Sequence, residues 1–254
     1  SSFSTPLELM AFIQQLRTLS EGKPVGFKLC IGHPWEWFAI VKAMLETGIQ
    51  PDFIVVDGAE GGTGAAPLEF SDHMGMPLQE ALRLVHNTLV GAGLRDSIHV
   101  GASGKIVSAF DMARALALGA DWCNSARGFM FALGCIQAQT CHSGNCPTGV
   151  TTQDPTRQMA LVVPSKAERV HNFHAHTLEA LQELMEASGL QTPHDFTPRH
   201  IMRRVSETQT LHLSELVDTL AHGDLLKDDV SSLPSVFSDW PLCNAKSFGM
   251  QAAA

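Results

Sequence analysis

Short apolar runs alternate with amphipathic stretches through the first 150 residues. Val25-Gly-Phe-Lys-Leu-Cys30 has the pattern of a strand, and residues 35–47, stopped by Gly48, have that of a helix. Phe53-Ile-Val-Val-Asp57 is a continuous β-branched run between Pro51 and Gly58, as expected for a strand covered on both faces. A glycine-rich loop follows, then a helix over 77–90 whose Leu78, Ala81, Leu82, Val85 and Leu89 share one face. The pattern then predicts a strand at 98–102, a helix at 109–118 closed by Gly119, and a fourth strand at 121–125. This alternation is the signature of βα units around a parallel sheet. Four such units are about half of a closed eight-stranded barrel. The expected fold is therefore α/β of the (β/α)8 TIM-barrel type, with only about four βα units in this chain.

Beyond residue 150 the texture changes. A turn at 151–155 leads to a long helix predicted over 165–188, with Pro164 before it and Gly189 after it. The remainder is a series of short amphipathic pieces. The chain thus divides into half a barrel at 1–155 and a helical extension at 156–254 that packs on it.

Composition mainly excludes. Hydrophobic residues make up 44% of the 254, enough to bury a core, and the net charge of −9 with no basic tract argues against a nucleic-acid surface. There is no apolar run of membrane-spanning length and no charged-then-apolar leader, so a soluble, cytoplasmic protein with no membrane partner is expected. Six cysteines, three of them clustered, do not suggest a disulfide framework and fit a reducing compartment. The chain opens with Ser-Ser-Phe-Ser, as a processed chain or a piece of a longer one would.

The cluster is the most specific chemical signal. In Cys135-Ile-Gln-Ala-Gln-Thr-Cys141-His-Ser-Gly-Asn-Cys146-Pro147 the thiols are separated by five and four residues. Dense soft thiolates on a bending loop suit an iron–sulfur cluster better than structural zinc, which favours CxxC pairs. Three ligands favour a three-iron cluster; buried structural cysteines are the alternative. Two glycine-rich loops follow predicted strands, where an α/β barrel keeps its active site. Asp57-Gly-Ala-Glu-Gly61-Gly62-Thr63-Gly64 would let backbone N–H groups approach a ligand. Gly101-Ala-Ser103-Gly104-Lys105 runs into a helix whose first N–H groups favour an anion, and Asn124-Ser-Ala126-Arg127 adds a guanidinium after the fourth strand. Lys28, inside an apolar strand, is expected to point its ammonium into the barrel mouth, toward a ligand or an ion-pair partner. His171, His174 and His176 read as a solvated helix face, and Cys30, Cys123 and Cys243 as core residues.

Taken together, Gly-Phe-Lys-Leu-Cys30, Asp57-Gly-Ala-Glu-Gly-Gly-Thr-Gly-Ala-Ala-Pro67, Gly-Ala-Asp121, Ala-Leu-Gly-Cys135 and Cys146-Pro-Thr-Gly-Val-Thr-Thr-Gln-Asp-Pro155 closely resemble the FMN-binding synthase domain of glutamate synthases, over roughly residues 20–205. The resemblance implies FMN and a 3Fe–4S cluster. Cys135, Cys141 and Cys146 would ligate the cluster. Lys28 would lie against the flavin and the 2-oxo acid as the catalytic cation. Gly61, Gly62 and Thr63 would pack on the isoalloxazine, and Ser103, Gly104, Ala126 and Arg127 would surround the phosphate. The implied reaction reduces the 2-imino acid formed from 2-oxoglutarate and ammonia to glutamate, with electrons from ferredoxin or an NAD(P)H-oxidising subunit. Ser103 stands where these synthases carry an aspartate, and 124–127 departs from their Gly-Phe-Ala-Thr pattern, which leaves the substrate open. On the same scaffold, a methylamine–glutamate N-methyltransferase subunit, a 2-hydroxy-acid oxidase or a non-catalytic electron-transfer subunit carrying the cluster are the alternatives. The sequence includes no N-terminal cysteine amidotransferase domain. Another chain, or a missing N-terminal segment, is expected to complete the barrel.

Overall fold

A computed structural model describes residues 2–62, 64, 66–67 and 69–250. Helix α1 (Pro6–Leu19) starts at a capping box, in which Thr5 and Glu8 each accept the other's backbone N–H, and it buries Leu9, Met10 and Ile13. Strand β1 (Gly26–Leu29), helix α2 (Pro34–Thr47), strand β2 (Phe53–Asp57), helix α3 (Leu78–Gly91), strand β3 (His99–Ser103), helix α4 (Ala109–Ala117) and strand β4 (Trp122–Asn124) follow in strict alternation. The four strands pair in sequence order, all parallel. Consecutive parallel neighbours joined by helices are the winding of a (β/α)8 barrel; a doubly wound sheet would reverse its order at a switch point. The chain therefore forms four βα units of that architecture.

The pleat gives the sheet two unlike faces. Ile54, Val56, Val100 and Ala102 are fully buried, in one core with Trp37, Phe38 and Met44 of α2 and Leu82, Val85 and Leu89 of α3. The alternate residues form the other face. At its base Trp122 lies against Gly101, where an added Cβ would sit 2.5 Å from the indole, and meets Phe53 edge-on at 6.1 Å. At its top Asp57, Ser103 and Asn124 end β2, β3 and β4, and Lys28 stands one residue before the end of β1.

Two matching clamps hold the opposite ends of the strands. Asp52 accepts from Arg17 at 2.8 Å and from the Val25 N–H at 2.7 Å, and Asp121 accepts from Arg95 and the Val100 N–H at the same two distances. Each aspartate immediately precedes an even-numbered strand and pins the start of the strand beside it. Arg95 also donates to His86 Nδ1 at 3.3 Å. Burial, then the charges of Arg83 and Arg95, push the His86 pKa down to about 4, so the ring is a neutral acceptor.

Helix α5 (Arg127–Leu133) follows β4 directly, and the cysteine loop leads to α6 (Pro155–Gln158) and α7 (Val163–Ala187). Phe173 of α7 fills the space beside Gly128, where a Cβ would lie 2.6 Å from its ring, and packs edge-on against Phe129. Beyond α7 lie an antiparallel ribbon of β5 (Met202–Arg204) and β6 (Thr210–His212) and a series of single 3-10 turns, in place of the helical pieces expected there. This segment packs back on the barrel half: Phe237 and Trp240 enclose Phe38, and Arg83 donates to the Asp218 carbonyl at 2.7 Å. Among the described residues no helix is long and apolar enough to cross a membrane.

Candidate functional site

The loops at the C-terminal ends of β2, β3 and β4 converge with the cysteine loop around a cavity of about 440 Å3. The β2 loop contributes Gly64, Ala66, Ser71, Asp72 and His73; the β3 loop contributes Lys105 and Val107; α5 supplies Arg127 and Phe131; and the cysteine loop supplies Gln137 and Gln139. Backbone strain concentrates on the same wall. Among the described residues five non-glycines have positive φ, and Asp72 (68°), Lys105 (48°), Gln137 (56°) and Gln139 (54°) all line this cavity. Such conformations persist where surrounding structure enforces them, and they gather at functional sites.

The β2 loop is anchored at its root. Gly58 N–H donates to the Ser103 carbonyl at 2.9 Å, Gly61 N–H donates to the Gly58 carbonyl at 2.8 Å, and Glu60 accepts from the Leu78 N–H at the start of α3. Gly62 takes φ of 93°, which favours glycine, and a Cβ on Gly61 would lie 2.4 Å from Asp57 Oδ1 and 2.9 Å from the Gly58 carbonyl, so the first is set by conformation and the second by space. Thr63 lies outside the described residues.

Lys28 projects from the open face of β1 and pairs with Asp57 at 2.7 Å. It stands at the sheet mouth but does not line the cavity. Ser103 sits beside Asp57 in register, and Gly104 (φ 140°) turns the chain tightly over Gly58. Ala126 immediately precedes α5 and Arg127 is its first residue. Among the described residues the Arg127 guanidinium has no ion-pair or hydrogen-bond partner. An unpaired guanidinium lining a cavity is a standing invitation to an anion. The start of α4, expected to offer N–H groups to that anion, is closed by its own capping box. Asp111 Oδ2 accepts from the Ser108 N–H at 3.0 Å and the Ser108 Oγ at 2.9 Å, putting a carboxylate where the anion was expected.

The three loop cysteines are close in sequence but do not converge. Among the described residues no group of three or more His, Cys, Asp or Glu is placed to hold a metal ion. Each sulfur is engaged elsewhere. Cys135 Sγ accepts from the Gln137 N–H at 3.4 Å. Cys141 packs against Gly64, where a Cβ would lie 2.4 Å from its sulfur, and so joins the cysteine loop to the β2 loop. Cys146 is buried, with its sulfur 3.4 Å from Thr148 Oγ1. The donor set has the softness a cluster needs, but this arrangement does not fit one.

Cys146 is nonetheless electrostatically distinct. Burial pushes its thiol up, but hydroxyl and backbone N–H groups of Thr148 and Thr151 outweigh that and bring the pKa down to about 6. Thr151 Oγ1 is buried with no partner at bonding distance and acts on the sulfur from further away. By contrast, burial and then Asp111 push Cys123 up to about 12. Cys146 is therefore a thiol below about pH 6 and a thiolate above it. The ultraviolet thiolate absorbance of the purified chain should show a step near pH 6 that Cys146→Ser abolishes and Thr148→Val moves upward. A step unchanged in Cys146→Ser would assign it to another cysteine.

Sequence reasoning missed Asp57, Asp72, His73, Phe131, Gln137, Gln139 and the unassigned Lys105. Pairing of Lys28 with Asp57 could have been found, since they lie near the C-terminal ends of neighbouring strands on residues of the same pleat parity.

Comparison with known proteins places these features in one family. The family model described as the conserved region in glutamate synthase matches residues 2–191, from α1 through the four strands and the cysteine loop to the end of α7. The glutamate synthase large subunit-like protein YerD of Bacillus subtilis is 43% identical over 215 residues, covering 85% of this chain and 41% of YerD. The archaeal glutamate synthase (NADPH) of Methanocaldococcus jannaschii is 36% identical over 183 residues, covering 70% of this chain and 35% of that protein. The chain thus spans less than half the length of these relatives. Among solved structures, a flavocytochrome b2 is 15% identical with a TM-score of 0.46, over 87% of this chain and 45% of that one. With the family model matched along most of its length and a 43% identical relative covering 85% of it, the chain belongs to the glutamate synthase family.

Proposed function

We propose that this chain forms the cavity-bearing half of an FMN-dependent oxidoreductase of the glutamate synthase type, which reduces the 2-imino acid of 2-oxoglutarate and ammonia to glutamate. The observation that carries the reading is Arg127, without a partner among the described residues, on a cavity at the strand C-termini whose wall includes four non-glycine residues at positive φ. The cavity volume lies in the range of about 300–1,000 Å3 usual for cofactor sites. Arg127, with the backbone N–H groups near Ser103, Gly104 and Ala126, would hold the phosphate. The β2 loop at Gly61, Gly62 and Thr63 would pack on the ring. When bound and reduced by the electron donor, the flavin would supply a hydride to the imino carbon and return to its oxidised form. Lys28, held by Asp57, would orient a carboxylate of the 2-oxo acid at the mouth. Cys135, Cys141 and Cys146 are the soft donors that a 3Fe–4S cluster would require; because their sulfurs do not converge here, no step of the proposed reaction is routed through a cluster. The proposed electron donor is ferredoxin or an NAD(P)H-oxidising subunit, and the barrel would be completed between the open β4 and β1 edges by a further segment or chain.

The test is anaerobic incubation of the FMN-loaded protein with 2-oxoglutarate, ammonia and an artificial reductant. Glutamate formed above the rate of free FMN supports the reading. FMN that binds and is reduced by a 2-hydroxy acid, with no glutamate formed, would replace it with an oxidase.

A further inference from the structure

Lys105 is in the wrong conformation for a lysine. It follows Gly104 (φ 140°) with a φ of its own of 48°, where glycine would sit without strain. Its ammonium lies 2.7 and 3.0 Å from the two oxygens of Asp72, itself held at φ 68° by its N–H bond to the Ala59 carbonyl. Two strained residues from two loops therefore meet across the wall of one cavity. The pair gains little from this. With the side chains 43% and 53% exposed, it is of the solvent-screened kind that contributes little to stability. A weak pair formed at the expense of backbone strain does not look like a structural fastening. Arg127, on the same cavity, has no partner at all among the described residues, and the α4 start is closed by Asp111.

We propose that Lys105 and Asp72 form an exchangeable pair: Asp72 holds the ammonium until a phosphate monoester dianion in the cavity takes it over, so that Lys105 joins Arg127 as the second cation of the anion subsite. This rests on the flavin reading only in taking the anion to be a phosphate ester. A dianion competes well against one screened carboxylate, because it carries twice the charge and accepts charge-assisted hydrogen bonds from both cations. Exchange frees Asp72, so filling the subsite alters the β2 loop that carries Gly61, Gly62 and Thr63. Binding of the phosphate is thereby coupled to the loop proposed to meet the ring.

The test is a titration of the full chain with inorganic phosphate, FMN and riboflavin, in the wild type, Asp72→Asn, Lys105→Met and Lys105→Gly. Asp72→Asn should bind phosphate and FMN about fivefold more tightly, since a competing unit charge is gone. Lys105→Met should bind both about tenfold more weakly and leave riboflavin unchanged. Lys105→Gly should weaken phosphate equally while raising the unfolding temperature by a few degrees, because it removes the strain. Phosphate affinity indifferent to all three variants, or no phosphate binding at all, overturns the exchange. FMN bound identically by all four proteins overturns this proposal and leaves the flavin reading standing. Phosphate affinity that follows the substitutions, in a protein that binds no FMN, sustains the subsite and overturns the flavin reading.

Discussion

Replacing Arg127 by alanine is expected to weaken FMN binding by about 100-fold while leaving riboflavin binding and the fold intact. The magnitude follows from chemistry. A bidentate guanidinium–phosphate contact comprises two charge-assisted hydrogen bonds, together about 3 kcal/mol, and each 1.4 kcal/mol is a factor of ten in affinity. The selectivity follows from the structure. Because the Arg127 guanidinium has no partner among the described residues, truncating it breaks no ion pair and orphans no buried carboxylate. Fluorescence titration with the two flavins, alongside circular dichroism, separates the outcomes. An equal loss for FMN and riboflavin would mean that Arg127 shapes the cavity without binding the phosphate.

A substitution at Gly58 should have the largest effect on stability. Gly58 closes β2, with its N–H bonded to the Ser103 carbonyl at 2.9 Å. A Cβ there would lie 2.6 Å from both the backbone nitrogen and the Cβ of Leu78. Neither can move without displacing the start of α3, which Glu60 caps from the same loop. Overpacking and loss of the cap together predict that Gly58→Val destabilises the protein by about 3–5 kcal/mol. For a chain of this size that corresponds to a fall in Tm of about 10 °C. Thermal unfolding measures it directly, and FMN affinity should fall as well, because the β2 loop loses its root. A Tm within a degree of the wild type would show that the α3 start yields freely, contrary to the packing described.

The two predictions draw on features that were unequally legible in the sequence. The βα alternation was plain because a strand buried under helices must be continuously apolar, as Phe53–Asp57 is, and because Gly48 and Gly119 mark helix ends. Helix α5 was not visible. It has only seven residues, and Gly128 lowers its propensity for a reason that lies more than forty residues away, the ring of Phe173. The start of α4 carries a legible capping signature in Ser108 and Asp111, although the glycines before it give the segment the look of an anion site. Arg127 and the glycines of the β2 loop could be picked out by residue type. The strained Asp72, Lys105, Gln137 and Gln139 could not, because positive φ in a non-glycine residue is imposed by tertiary packing and leaves no mark in local sequence. The cysteine spacing was the clearest signal of all. It gives the donor set and not its geometry, since the direction of each sulfur depends on Gly64, Thr148 and the backbone around Gln137.

In the proposed function, the cavity at the C-terminal ends of β2, β3 and β4 holds the phosphate of a flavin. A crystal structure of the chain loaded with FMN tests it most directly. The phosphate is expected within hydrogen-bonding distance of Arg127, with the ring against Gly61 and Gly62. A phosphate bound outside this cavity, or the flavin ring occupying the space beside Arg127, would contradict it.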